Sequence, residues 1–198
     1  MENQNLTEII CILDKSGSMG SLQQETIAGL NQFLNDQKQE EGLCHFTLVQ
    51  FNQEVTTSIK RQPIRNVPGL TAQSYQPGGY TALYDAVGIT LNTAIETQFY
   101  MPQGQSPERV LVFIINDGME NASKKYTKPQ IQKLVENLST SKGWEFEFFG
   151  ANIDAFGEAQ NIGVSKDKAY QWAYSKEGVS EMMNEMNVKS SEFRKRKS

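Results

Sequence analysis

The chain has 198 residues, 19 Lys+Arg against 23 Asp+Glu for a net charge of −4, and only one His and two Cys. That length suits one domain with a real core. A hydrophobic share of 38% and a charged share of 21% argue against a disordered or membrane-bound chain. One His, two Cys and no Cys-x-x-Cys exclude a His- or Cys-based zinc site, so any metal must be held by oxygen.

The N-terminal MENQNLTEIICIL lacks a basic region followed by an apolar one, so no signal peptide is expected and a cytoplasmic location is. Glu8 to Leu13 reads as a continuous, fully buried strand, the pattern of a sheet covered on both faces. Ile27, Leu30 and Leu34 then recur at helical spacing. Cys44 to Phe51 is a second strand, and Glu54 to Lys60 alternates polar and β-branched residues after Asn52-Gln53, which predicts a hairpin. Gln62 to Tyr80, rich in Pro and Gly, is too long for a simple connection. Leu83, Val87, Ala94 and Ile95 mark a second helix, and Arg109 to Ile115 a third buried strand. Its apolar run is far short of the ~20 residues that cross a bilayer, so no membrane partner is expected. Ile131, Leu134, Val135 and Leu138 form a helical face, with Thr127 and Gln130 placed as a capping box. Glu145 to Gly150 and Lys168 to Tyr174 are the remaining strands. A last helix from near Ser175 carries Val179, Met182, Met183 and Met186 on one face, the pattern of core packing. Both cysteines lie in apolar strands, where a buried free thiol and a reducing compartment are expected. Strand–helix alternation predicts an α/β sheet with helices on both faces and a site in the loops at the strands' C-terminal ends.

Three such loops carry the chemistry. The first strand runs into Asp14-Lys15-Ser16-Gly17-Ser18-Met19; the second piece is Gly78-Gly79-Tyr80-Thr81 ahead of a helix; the third is Asn116-Asp117-Gly118-Met119. Each has an ordinary alternative reading. Ser16 and Thr81 have the form of helix caps, and Asp-Gly that of a turn. Taken together, Asp14, Ser16, Ser18, Thr81 and Asp117 offer hydroxyl and carboxylate oxygens without imidazole or thiolate. That donor set favours Mg²⁺, Mn²⁺ or Ca²⁺ over zinc or copper.

Position by position, the five residues resemble the metal-ion-dependent adhesion site of von Willebrand factor type A (vWA) domains: D-x-S-x-S, then a Thr after a Gly-rich loop, then an Asp before Gly. The resemblance extends over essentially the whole chain. Gly150-Ala151-Asn152-Ile153-Asp154 is similar to a stretch of stand-alone bacterial and phage members, and Asn116 stands where many members have Thr. The resemblance implies a three-layer Rossmann-like α/β fold, its central sheet mostly parallel with one antiparallel edge strand, over residues 1–190, with a basic tail over 191–198. It implies Mg²⁺, Mn²⁺ or Ca²⁺ held by Ser16, Ser18 and at times Thr81, with Asp14 and Asp117 acting largely through water. The partner would be a protein presenting an Asp or Glu as a further ligand.

Rival readings are weighed on the same residues. A haloacid-dehalogenase-type phosphotransferase needs a second carboxylate two residues after its first Asp, where this chain has Ser16. A P-loop needs Gly-Lys-Ser/Thr, which does not follow Gly17 and Gly20. A Ser–His–Asp hydrolase would have to use His45, within a predicted strand. A scaffold, including a phage structural protein, with an incidental metal site is the remaining alternative. The negative charge argues against nucleic acid as the principal partner. Met19, Tyr80 and Met119 adjoin the ligands, and with Tyr75 they are expected to form an apolar rim that touches the partner. The basic run Lys189 to Ser198 is expected to be a frayed, solvated helix end.

Overall fold

The structure, a computed structural model, describes residues 6–102 and 104–196. Its elements follow one another as β1 (Thr7–Asp14), α1 (Gln23–Gln39), β2 (Cys44–Phe51), β3 (Val55–Pro63), α2 (Leu83–Phe99) and β4 (Arg109–Asn116). Then come α3 (Lys128–Lys142), β5 (Glu145–Gly150), α4 (Ala155–Asn161), β6 (Ala169–Gln171) and α5 (Lys176–Lys195). The six strands form one sheet in the order β3-β2-β1-β4-β5-β6. All pairs are parallel except the β2–β3 edge hairpin. This is the expected three-layer α/β architecture with a single antiparallel edge.

Alternation along the central strand divides the core. Ile9, Cys11 and Leu13 of β1 face α1 and α5, while Ile10 and Ile12 face α2, α3 and α4. Every residue of β1 is buried because β2 and β4 pair with its two edges and helices cover both faces. Phe33, Phe46, Phe113 and Phe149 interlock on the first face. Burying each such ring is worth about 2–3 kcal/mol before entropy is counted. The methionine stripe of α5 packs into this same cluster, as its spacing predicts.

The strand order places a topological switch at the centre of the sheet. From β1 the chain crosses in one direction to β2 and later returns to the other side as β4. Loops leaving β1 and β4 at their C-terminal ends therefore diverge, and a crevice opens between them. Asp14 is the last residue of β1, and Asp117 follows the last residue of β4.

Two local expectations change. Lys168 to Tyr174 holds only a three-residue strand, Ala169–Gln171. After Trp172, whose N–H reaches Gly150 O at 3.0 Å, the chain turns toward the end of the first strand instead of continuing the ladder. The C-terminal residues do not fray at 191: α5 runs to Lys195, and Phe193 is buried. Arg194 donates to the carbonyls of Gln37, Glu40, Glu41 and Gly42, so it fastens α5 to the end of α1. Residues 197 and 198 of that run lie outside the described residues. Segment 62–80 is anchored by buried Ile64, Val67, Leu70 and Tyr75 and by paired hydrogen bonds between Asn31 and Leu70. Both cysteines are buried and free. Among the described residues no helix is long and apolar enough to cross a membrane.

Candidate metal centre

Asp14, Ser16, Ser18, Thr81 and Asp117 come together at the crevice. Ser18 Oγ donates to Asp117 Oδ1 at 2.7 Å, and Ser16 and Ser18 hydroxyls lie 3.0 Å apart. Ser16 Oγ is 3.5 Å from the same Asp117 oxygen. Asp14 Oδ1 accepts from the Ser16 N–H at 2.6 Å, and its Oδ2 faces the Asp117 N–H at 3.5 Å. Thr81 closes the group: a Cβ built on Gly118 would lie 3.3 Å from Thr81 Oγ1 and 3.8 Å from Ser18 Oγ. A side chain at this position would press on the Thr81 hydroxyl, which would have to give by a few tenths of an ångström.

The capping alternatives for Ser16 and Thr81 do not hold. Ser16 precedes the 3-10 turn Gly17–Leu22 without a side-chain cap bond. At α2 the cap position is Ala82, and no side chain of that residue caps. The exposed N–H groups of this helix are met from outside instead, Tyr84 by Glu120 Oε2 at 3.0 Å and Asp85 by Ser123 Oγ at 3.0 Å. Both hydroxyls are thereby released from the backbone work that such residues usually do.

A backbone lattice fixes the loops. Lys15 N–H donates to Phe51 O, Gly78 N–H to Lys15 O, and Gly17 N–H to Gly79 O. Gly79 adopts φ +81°, a left-handed turn that glycine takes without strain. Asn52 Nδ2 holds Gly78 O, and Gln53 Oε1 accepts from Tyr80 N–H. Asn121 Oδ1 accepts from Thr81 N–H, while Thr81 O accepts from Asn121 and Ala122. Asn116, where Thr is common, donates from Nδ2 to Gly118 O at 2.6 Å and so tightens the Asp117 turn.

Some supporting residues were not anticipated. Asp85, buried in the first turn of α2, accepts three backbone N–H bonds from Lys124, Lys125 and Tyr126. Its sequence signal, an acid near a helix N-terminus, is shared by many unremarkable positions. Glu120 likewise folds its own loop through Ala122 and Ser123. Tyr174, from the turn before α5, donates its hydroxyl to Ser18 O and lies 2.7 Å from Ser21 Oγ.

The expected rim divides. Tyr80 is 69% and Met119 76% exposed, whereas Met19 and Tyr75 are each 0% exposed. Met19 sits on the inner side of its 3-10 turn, within the core cluster of α1 and α5. Tyr75 points inward and donates to Asp14 O at 2.7 Å, so it positions the end of β1 and does not touch solvent.

The electrostatics bear on what the site can hold. Burial raises the Asp14 carboxyl above the usual range, and the nearby Asp117 charge adds to it. Burial raises Asp117 as well, against the hydrogen bond from Ser18. Asp117 Oδ2 is buried without a hydrogen-bond partner. Two close carboxylates, an orphaned oxygen and two serine hydroxyls form a donor set that fits a hard divalent cation. Among the described residues no cluster of three or more His, Cys, Asp or Glu offers another metal site.

Solved structures carry the same architecture. A proximal thread matrix protein, PTMP1, from the mussel byssus aligns over 96% of this chain and 49% of its own, at 17% identity and TM-score 0.67. A von Willebrand factor type A protein from Catenulispora acidiphila covers 95% of this chain and 43% of its own, at 13% identity and TM-score 0.59. The fold is that of a vWA domain. The vWF domain of the type V pili tip protein Mfa5 from Porphyromonas gingivalis matches it end to end, 98% of each chain, at 10% identity and TM-score 0.67. The chain thus spans about half the length of the first two vWA neighbours. One structure of the mussel protein has a zinc-occupied MIDAS motif. No family model matches the sequence, and no curated protein matches it.

Proposed function

We propose that this chain is a metal-dependent protein-binding module. Asp14, Ser16, Ser18, Thr81 and Asp117 hold Mg²⁺, Mn²⁺ or Ca²⁺, and a partner's Asp or Glu completes the coordination. When bound, the cation supplies a Lewis-acidic point of positive charge that a carboxylate can reach from outside. The chain's own residues do the rest. The two aspartates supply compensating charge, the serines and Thr81 supply neutral oxygen, and Tyr75 fixes the backbone under Asp14.

One observation carries this reading: two buried carboxylates and two serine hydroxyls converge at the switch of the sheet, with Asp117 Oδ2 left unpartnered. Nothing in the site favours catalysis. Ser16 stands where a phosphotransferase needs its second carboxylate, and His45 lies in β2, away from the strand ends that carry the site. The fold neighbours support an interaction role, since they include a byssus matrix protein, a minor pilin and a pilus tip protein. The zinc-bearing neighbour supports divalent binding, while the all-oxygen donor set here favours Mg²⁺, Mn²⁺ or Ca²⁺. We further propose that the protein acts in the cytoplasm.

Affinity capture from the native host tests the reading. A partner retained in Mg²⁺, released by EDTA and lost with Asp14→Ala supports it. Retention unchanged in all three conditions, or turnover of a generic phosphate ester, refutes it.

A further inference from the structure

Three exposed large side chains adjoin the site, two through the sequence and one through a hydrogen bond. Tyr80 immediately precedes Thr81, Met119 follows Gly118, and the Tyr174 hydroxyl is bound to Ser18 O. They come from three separate loops, before α2, after β4 and before α5. The loops are in contact: the Gly118 Cβ position lies 3.3 Å from Thr81 Oγ1, and Asn121 N–H reaches Thr81 O at 3.0 Å. Tyr80 and Met119 are therefore exposed residues of two loops that touch each other.

Their exposure is fixed by the backbone. The Tyr80 N–H is held by Gln53 and the next N–H by Asn121. Met119 sits between Gly118, whose carbonyl is held by Asn116, and Glu120, whose carboxylate ties down the following turn. Met19 and Tyr75, of the same two residue types, turn fully inward. Rigid loops that keep large apolar groups in water forgo burial energy that a docked partner can recover without further ordering of the chain.

The acid is selected by the cation of the proposed site and not by the side chains around it, whose exposed charges are of both signs: Lys124 and Lys125, with Lys15 half-exposed, against Glu54 beside Gln53 and Glu177 after Tyr174. From these placements we infer that Tyr80, Met119 and Tyr174 form an apolar collar that selects one kind of partner. It is an acidic peptide segment whose metal-binding Asp or Glu is flanked by a large aliphatic or aromatic side chain. The collar rests on the metal-dependent reading above and gives it a specificity that the ligand set alone lacks.

The test is a display library of random peptides with a fixed central Asp, captured on the full chain in Mn²⁺ and eluted with EDTA. The collar predicts enrichment of aromatic and large aliphatic residues beside the Asp. It also predicts that the double variant Tyr80→Ser/Met119→Ser binds the selected peptides at least about 10-fold more weakly, with Mn²⁺ affinity unchanged by calorimetry. EDTA-sensitive capture without apolar enrichment, or undiminished binding by the double variant, overturns the collar and leaves the metal-dependent module standing. Absence of Mn²⁺ binding, or capture of the same peptides by Asp117→Ala, overturns both.

Discussion

The protein buries carboxylates at two ends of its sheet and treats them differently. Glu8 lies near the start of β1, and Asp14 ends the same strand about 20 Å further on. Glu8 meets Arg61 at 3.2 Å, and Glu147 of β5 meets Lys168 at 2.9 Å. Glu147 also leaves Oε2 without a hydrogen-bond partner, but a lysine sits on its other oxygen. Burial raises the carboxyl groups of Glu8, Glu147, Asp14 and Asp117 alike. Among the described residues, however, the ion pairs include neither Asp14 nor Asp117. Where the chain supplies its own cation, a buried acid is structural. Two acids with hydroxyls and no cation from the chain are the arrangement on which the proposed metal site rests.

This contrast can be broken most sharply by removing a ligand. Asp117→Ala should weaken Mn²⁺ binding by at least about 100-fold in calorimetry, since even outer-shell losses reach that scale. Glu147→Gln should leave it unchanged. Mg²⁺ at about 100 times its dissociation constant should stabilise the fold by about 2.7 kcal/mol. For a chain of this length that is a rise in melting temperature of roughly 5–10 °C. The shift should vanish in Asp14→Asn, which in EDTA should be at least as stable as the wild type because a buried like charge is gone. At the opposite end, Arg61→Met strands Glu8. It should cost about 2–3 kcal/mol in urea denaturation, less than a fully buried pair because Arg61 keeps some solvent. Its metal affinity should not move. The smallest effect is expected of Tyr75→Phe, which deletes the bond to Asp14 O. About 1 kcal/mol of stability and no more than roughly 10-fold in metal affinity should be lost.

The sheet, most of the helices and the five residues that converge at the crevice were legible because each rests on local pattern. Continuous apolar runs marked β1 and β4, and Cys44–Phe51 and Glu145–Gly150 match their strands end to end. Thr127 heads α3 with Gln130 Oε1 accepting its N–H, and Asp154 caps α4 through Gly157 N–H. What pattern could not show was direction. Met19 and Met119 each adjoin a ligand, yet the 3-10 turn after Ser16 rotates one into the core, while the tight Asp117 turn leaves the other in water. Tyr75 and Tyr80 part in the same way, because a tyrosine hydroxyl reaching a backbone carbonyl across 61 residues leaves no mark on either segment. The Tyr174 contact escaped for a similar reason: an apolar run of the type KAYQWAY reads as strand throughout, although the ladder ends at Gln171. The C-terminal charges suggested solvation, but Arg194 spends its guanidinium on the carbonyls at the end of α1.

An anomalous difference map from crystals soaked in Mn²⁺ decides whether the two uncompensated aspartates mark a divalent-cation site. One peak is expected, in the crevice among Asp14, Ser16, Ser18, Thr81 and Asp117. A map with no peak there, or with its peak at Glu8, Glu145 or Glu147, would contradict it.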